Sequence, residues 1–144
     1  MATASTLPEF GPDAPPYWAD ACRHLVKRDR VLKKIIPQYP GVALQSRGDA
    51  FVTLARSIVG QQISVKAAQS VWDRFESLTR KMTPAQVLKL KVDDMRGAGL
   101  SARKVEYLVD LALHFADKRV RVTDWPQMDD EAIIAELVAI RGIG

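Results

Sequence analysis

Five short polar positions each stand just before a stretch in which apolar side chains recur every three or four residues: Asp49, Ser64, Thr83, Ser101 and the acidic group that opens with Asp129. Asp, Ser and Thr accept hydrogen bonds from the exposed N–H groups of a helix's first turn, and the spacing that follows is that of one helical face. Asp49 is followed by Phe51, Leu54, Ala55, Ile58 and Val59, and Ser64 by Val65, Ala68, Val71, Trp72 and Phe75. Thr83 has Pro84 at the first helical position and Gln86 where a capping box closes. Ser101 precedes the most regular stripe, Val105, Leu108, Val109, Ala112 and Phe115. Asp129, Asp130 and Glu131 place negative charge at the start of a helix that carries Ile133, Ile134, Leu137, Val138 and Ile140, in agreement with the helix dipole. No stretch alternates with period two between hairpin turns, and Val120-Arg121-Val122 is too short to change the reading. The pattern predicts an all-α, multi-helix bundle of about seven short-to-medium helices.

Ahead of this run, Tyr17 to Arg28 reads as a helix with Trp18, Cys22, Leu25 and Val26 on one stripe. Asp29 caps a short helix through Ile36, and Pro37 to Gly41 breaks the pattern. Residues 1–16, rich in Pro, Gly and small polar side chains, read as a flexible arm, leaving 17–144 as one all-α domain. Val120 to Pro126 reads as extended or irregular. No apolar run is long enough to cross a bilayer, so no membrane partner is expected. The single cysteine, Cys22, excludes an internal disulfide and a cysteine metal site, which suits a reducing, cytoplasmic setting. His24 and His114 have no Glu or Cys at metal spacing and are expected to be structural or on the surface. Trp18, Trp72 and Trp125 are expected to be core or half-buried.

The chain carries a formal net charge of +4. Basic clusters lie at Lys27 to Lys34 and at Lys118 to Arg121. They admit a polyanionic partner, and equally they are solvated helix ends.

Three segments combine residues suited to nucleic acid. Near the end, a helix runs into Arg141-Gly142-Ile143-Gly144. Two glycines let a backbone take positive φ and approach a phosphate closely, while N–H groups at the turn bind the anion. A plain glycine C-cap gives the same local pattern. In "ARSIVGQQISVKAA" (residues 55–68), an apolar helix ends at Gly60, Gln61-Gln62-Ile63 forms a knuckle, and Ser64 starts the next helix. The glutamines offer donors and acceptors suited to base edges. Lys66, in a first turn where a cation opposes the dipole, suits a phosphate; the alternative is a surface elbow with solvated amides. In "GLSARKVEYL" (99–108), Ser101 caps a helix whose first turn carries Arg103 and Lys104, either solvated or facing an anion.

"SIVGQQISVKAA", "GLSARKVEYL" and "LVAIRGIG" follow one another in the order and approximate spacing of the alkylbase DNA glycosylases, the 3-methyladenine DNA glycosylase II type of the helix–hairpin–helix superfamily, which this chain resembles from about residue 17 to residue 144. The resemblance implies an all-α enzyme of base excision repair. Such an enzyme bends duplex DNA, flips an alkylated purine from the stack and hydrolyses its N-glycosidic bond. It implies double-stranded DNA containing alkylated bases as the partner, no redox cofactor and no obligate protein partner.

The resemblance also assigns residues. Gln61, Gln62 and Ile63 match the wedge loop, with Gln62 at the intercalating position, where several relatives have a bulkier apolar residue. Ser64, Lys66, Ser101 and Lys104 join the DNA-binding set, as do Arg141, Gly142 and Gly144 of the hairpin. Arg141 replaces the proline common at that position. The carbonyls of Val138, Ile140 and Ile143 match positions that hold a structural monovalent cation. The family's catalytic Asp falls beyond Gly144, so no catalytic residue is assigned within these 144 residues, which are expected to be inert alone. Asp129 and Asp130 are read as helix-start residues. Two other readings stand beside this one: a non-catalytic helix–hairpin–helix DNA-binding module, and a helical interaction domain without nucleic acid.

Overall fold

The computed structural model describes residues 10–46 and 48–144, and all regular structure among them is helical. They divide into two units at about residue 47.

In the first unit, α1 spans Trp18–Arg28 and α2 spans Leu32–Ile35. A 3-10 turn, Ile36–Gln38, follows. The Asp29 carboxylate accepts from the N–H groups of Val31 and Leu32, both at 2.8 Å, which is the capping expected of it. The helical turn runs on through Pro37 to Gln38, because the ring fixes a helical φ and its missing N–H is not needed in a first turn. The Trp18 indole donates to the Val42 carbonyl at 3.1 Å. Of the arm expected over 1–16, residues 1–9 lie outside the described residues. Residues 10–16 form turns, and the Asp13 carbonyl accepts from the Ser46 N–H at 3.0 Å.

The second unit holds α3 (Ala50–Val59), α4 (Val65–Glu76), α5 (Pro84–Val87), α6 (Val92–Gly97), α7 (Ala102–Ala116) and α8 (Asp130–Val138). Asp49, Ser64, Thr83, Ser101 and Asp129 all occupy N-cap positions and accept from the N–H three residues on. Loss of such a cap costs about 1 kcal/mol.

The long α7 is the centrepiece, packing against α3, α5 and α6. Its Leu108, Leu111 and Ala112 are fully buried with Ile58, Phe75 and Met95. Phe51 meets Phe115 edge-on at 5.4 Å, and Trp72 meets Phe75 at 5.8 Å. Burying a side chain the size of Leu108 contributes roughly 2 kcal/mol, so this stripe carries much of the unit's stability.

Two segments of the second unit differ in secondary structure from the sequence reading. Val122–Gln127 is a 3-10 helix, where an extended or irregular segment was expected. The cause is a long-range contact: the Glu136 carboxylate, on α8, accepts from the Arg121 N–H and the Trp125 indole, winding the segment around it. The second difference is α6, whose N-cap residue Lys91 makes no side-chain cap to announce it and which is held by the fully buried Met95.

Candidate functional site

The three segments singled out in the sequence meet on one face of the second unit. α3 ends at Gly60, and the knuckle Gln61-Gln62-Ile63 turns the chain into α4. Gln62 has φ +62°, one of two non-glycine residues with positive φ among those described, and its side chain points to solvent. Gln61 does not. Its Nε2 donates to the Gly142 carbonyl at 2.8 Å, joining the knuckle to the hairpin across 81 residues of sequence. Ile63 is partly exposed, and Ser64 caps α4 by accepting from the Ala67 N–H at 3.1 Å. Lys66 lies exposed in the first turn.

The hairpin is seated on α7. Ile140, at the end of α8, is 1% exposed and roots the turn in the core. The Ile143 N–H donates to the Ile140 carbonyl at 3.2 Å and closes the turn. Gly142 and Gly144 have φ of +87° and +134°, where glycine is favoured. At Gly142 the need is also steric, since a Cβ would stand 2.4 Å from Cδ2 of Tyr107. The Arg141 N–H donates to Asp110 Oδ2 at 2.9 Å, and the buried His114 places Nε2 3.4 Å from that same oxygen. The Arg141 side chain remains exposed.

The start of α7 completes the face. Ser101 caps it, accepting from the Lys104 N–H at 3.2 Å, and Arg103 is exposed. Lys104 takes a third course beyond the two expected of it. Its Nζ donates to the Val59 carbonyl at 2.8 Å, in the last turn of α3, where the helix dipole is negative. Burial lowers its pKa from the ordinary lysine value. Lys104 thereby fastens α7 beside the knuckle.

α8 ends at Val138, and beyond it the Ile140 carbonyl accepts the Ile143 N–H; the carbonyls of Val138, Ile140 and Ile143, where a monovalent cation was expected, are oxygens of the kind a hard cation takes. Asp129 and Asp130 lie at the opposite end of α8, where Asp129 accepts from the Ala132 N–H at 2.8 Å. His24 lies in the first unit. Trp72 is core, beneath Arg56 at 5.1 Å. Sequence reasoning missed Tyr107 and Asp110. Both lie on α7 between members of its apolar stripe, and only their relation to residues 141 and 142 shows their use.

Comparison with known proteins gives a consistent picture. The profile of the HhH-GPD superfamily of base excision DNA repair proteins matches residues 55–144, the knuckle through the hairpin. A DNA-3-methyladenine glycosylase of Saccharomyces cerevisiae is 32% identical over 145 residues, covering 86% of this chain and 48% of that protein. Among solved structures, a DNA-3-methyladenine glycosidase of Bacillus halodurans aligns with a TM-score of 0.72 at 33% identity, covering 83% of this chain and 56% of the other. The Schizosaccharomyces pombe 3-methyladenine DNA glycosylase, in complex with abasic DNA, aligns with a TM-score of 0.78 at 26% identity, covering 87% and 64%. The chain spans about half the length of the relatives it matches in sequence.

Proposed function

Because this chain belongs to the HhH-GPD superfamily of base excision DNA repair proteins, we propose that it serves hydrolysis of the N-glycosidic bond of alkylated purines, with the knuckle–hairpin face as its duplex-binding surface. The observation that carries this reading is the Gln61–Gly142 bond, which joins the segment suited to entering a duplex to the segment suited to gripping its backbone. Similarity to a glycosylase solved with abasic DNA supports it.

The chemistry divides accordingly. A base within the stack cannot be attacked, and a damaged one costs less to extrude. Gln62, exposed at the tip of the knuckle, fills the space that the nucleotide leaves. The hairpin glycines bring backbone amides to a phosphate, with Lys66 and Arg141 supplying charge; these contacts fix the protein on DNA of any sequence. The carbonyls of Val138, Ile140 and Ile143 would hold a monovalent cation, which would add positive charge to the hairpin. Alkylation makes the purine cationic and a good leaving group, and a carboxylate then stabilises the oxocarbenium-like sugar.

Asp110 supports the hairpin, accepting from the Arg141 N–H with His114 Nε2 3.4 Å from the same oxygen. The second reading is a non-catalytic helix–hairpin–helix DNA-binding module, in which the same face binds without hydrolysing.

Hydroxyl-radical footprinting of the purified chain on a duplex with one abasic analogue tests the reading. Protection centred on the analogue is expected, and uniform cleavage would overturn it. Release of 3-methyladenine from methylated duplex separates the two readings: none is expected from this chain alone.

A further inference from the structure

We infer that Gln61 is a positioning residue and not a DNA contact: its side-chain amide locks the knuckle to the hairpin, so that gripping the backbone and entering the duplex occur as one rigid movement. The inference rests on the duplex-binding reading of this face. Two adjacent glutamines have opposite orientations. Gln62 is exposed at positive φ, whereas Gln61 is half-buried with Nε2 on the Gly142 carbonyl at 2.8 Å.

The other supports of the hairpin, Asp110 on the Arg141 N–H and Tyr107 beneath Gly142, both come from α7. Gln61 is the link from the knuckle. Near it the knuckle has the local turn in which the Gln61 N–H reaches the Ile58 carbonyl at 3.2 Å, and that bond leaves its tilt relative to the hairpin unset. The bonded atom is the carbonyl of the hairpin's first glycine. Its peptide plane also carries the Ile143 N–H, which closes the turn on the Ile140 carbonyl, so the latch ties the depth of Gln62 to the shape of the hairpin turn.

The test compares Kd for a duplex with an abasic analogue against Kd for the intact duplex, using wild type, Gln61→Ala and Gln61→Glu. The preference for the abasic duplex reports entry of the knuckle, and a change in general charge cancels in the ratio. Loss of the latch is expected to cut the preference roughly fivefold to tenfold, the size of one hydrogen bond. Gln61→Glu has the same shape, but its ionised carboxylate faces a carbonyl. As pH falls through the glutamate range it regains a donor, so its preference is expected to recover relative to wild type at the same pH. A loss of folding alone would show no such recovery, which keeps the test sound if Gln61→Ala loosens the chain. Wild-type preference in both variants would overturn the coupling. A wild type with no preference would overturn the duplex-binding reading, and the inference with it.

Discussion

The ring of Tyr107 occupies the space that any side chain at residue 142 would need, since a Cβ there would lie 2.4 Å from Cδ2 and 2.5 Å from Cγ of that ring. The glycine is therefore fixed by a neighbour as well as by its backbone conformation.

This relation predicts a non-additive pair. Gly142→Ala is expected to destabilise the second unit by at least 1–2 kcal/mol, roughly the cost of left-handed backbone alone, and by more through the clash. Adding Tyr107→Ala removes the clash and leaves the backbone cost, so the double variant should be more stable than the sum of the single effects. Urea unfolding of the four proteins measures this. Strict additivity would mean that ring and glycine do not meet.

Asp110 is expected to hold the hairpin in place. Replacing it with Ala leaves the exposed Arg141 N–H to water, at a cost of about 1 kcal/mol. Amide exchange at Arg141 should quicken while α3 remains protected. Unchanged exchange at Arg141 would show that the bond at 2.9 Å is not formed in solution.

Acid is expected to loosen the 3-10 segment. Hydrogen bonds from the Trp125 indole and the Arg121 backbone, with the Arg121 charge, hold Glu136 below the ordinary glutamate range. A depressed carboxylate contributes stability above its unfolded pKa, and that contribution is lost as pH falls through the folded value. Trp125 fluorescence should thus change in acid below the usual glutamate range, and Glu136→Gln should abolish that step. A persisting step would place its origin elsewhere.

A cation at the hairpin carbonyls predicts ion-specific binding. At constant ionic strength, replacing potassium with tetramethylammonium, too large for a carbonyl cage, should weaken duplex binding several-fold. Equal affinity in the two salts would remove the cation from the account.

How much of this could be read from the chain depended on range. The five caps and the stripe of α7 are local signals, and Ser64, Ser101 and Asp129 alone located three helices correctly. Where a distant residue sets the conformation, local reading failed. Glu136 winds Val122–Gln127 from α8, and Met95 secures α6 behind an uncapped start. The site divided in the same way. Gly142 and the knuckle were legible because turn chemistry is local. The inward course of Gln61, the capture of Lys104 by Val59, and the roles of Tyr107 and Asp110 depend on residues 31 to 81 positions away.

The central claim is that knuckle and hairpin form one surface for duplex DNA. Its most direct test is the Kd of the purified chain for an abasic-site duplex, measured by fluorescence anisotropy over a range of salt. The account predicts that log K falls linearly with log salt, with a slope of about 0.9 for each phosphate neutralised, and that Lys66→Ala lowers the slope by about one. Affinity that ignores salt, or a slope untouched by Lys66→Ala, would contradict it.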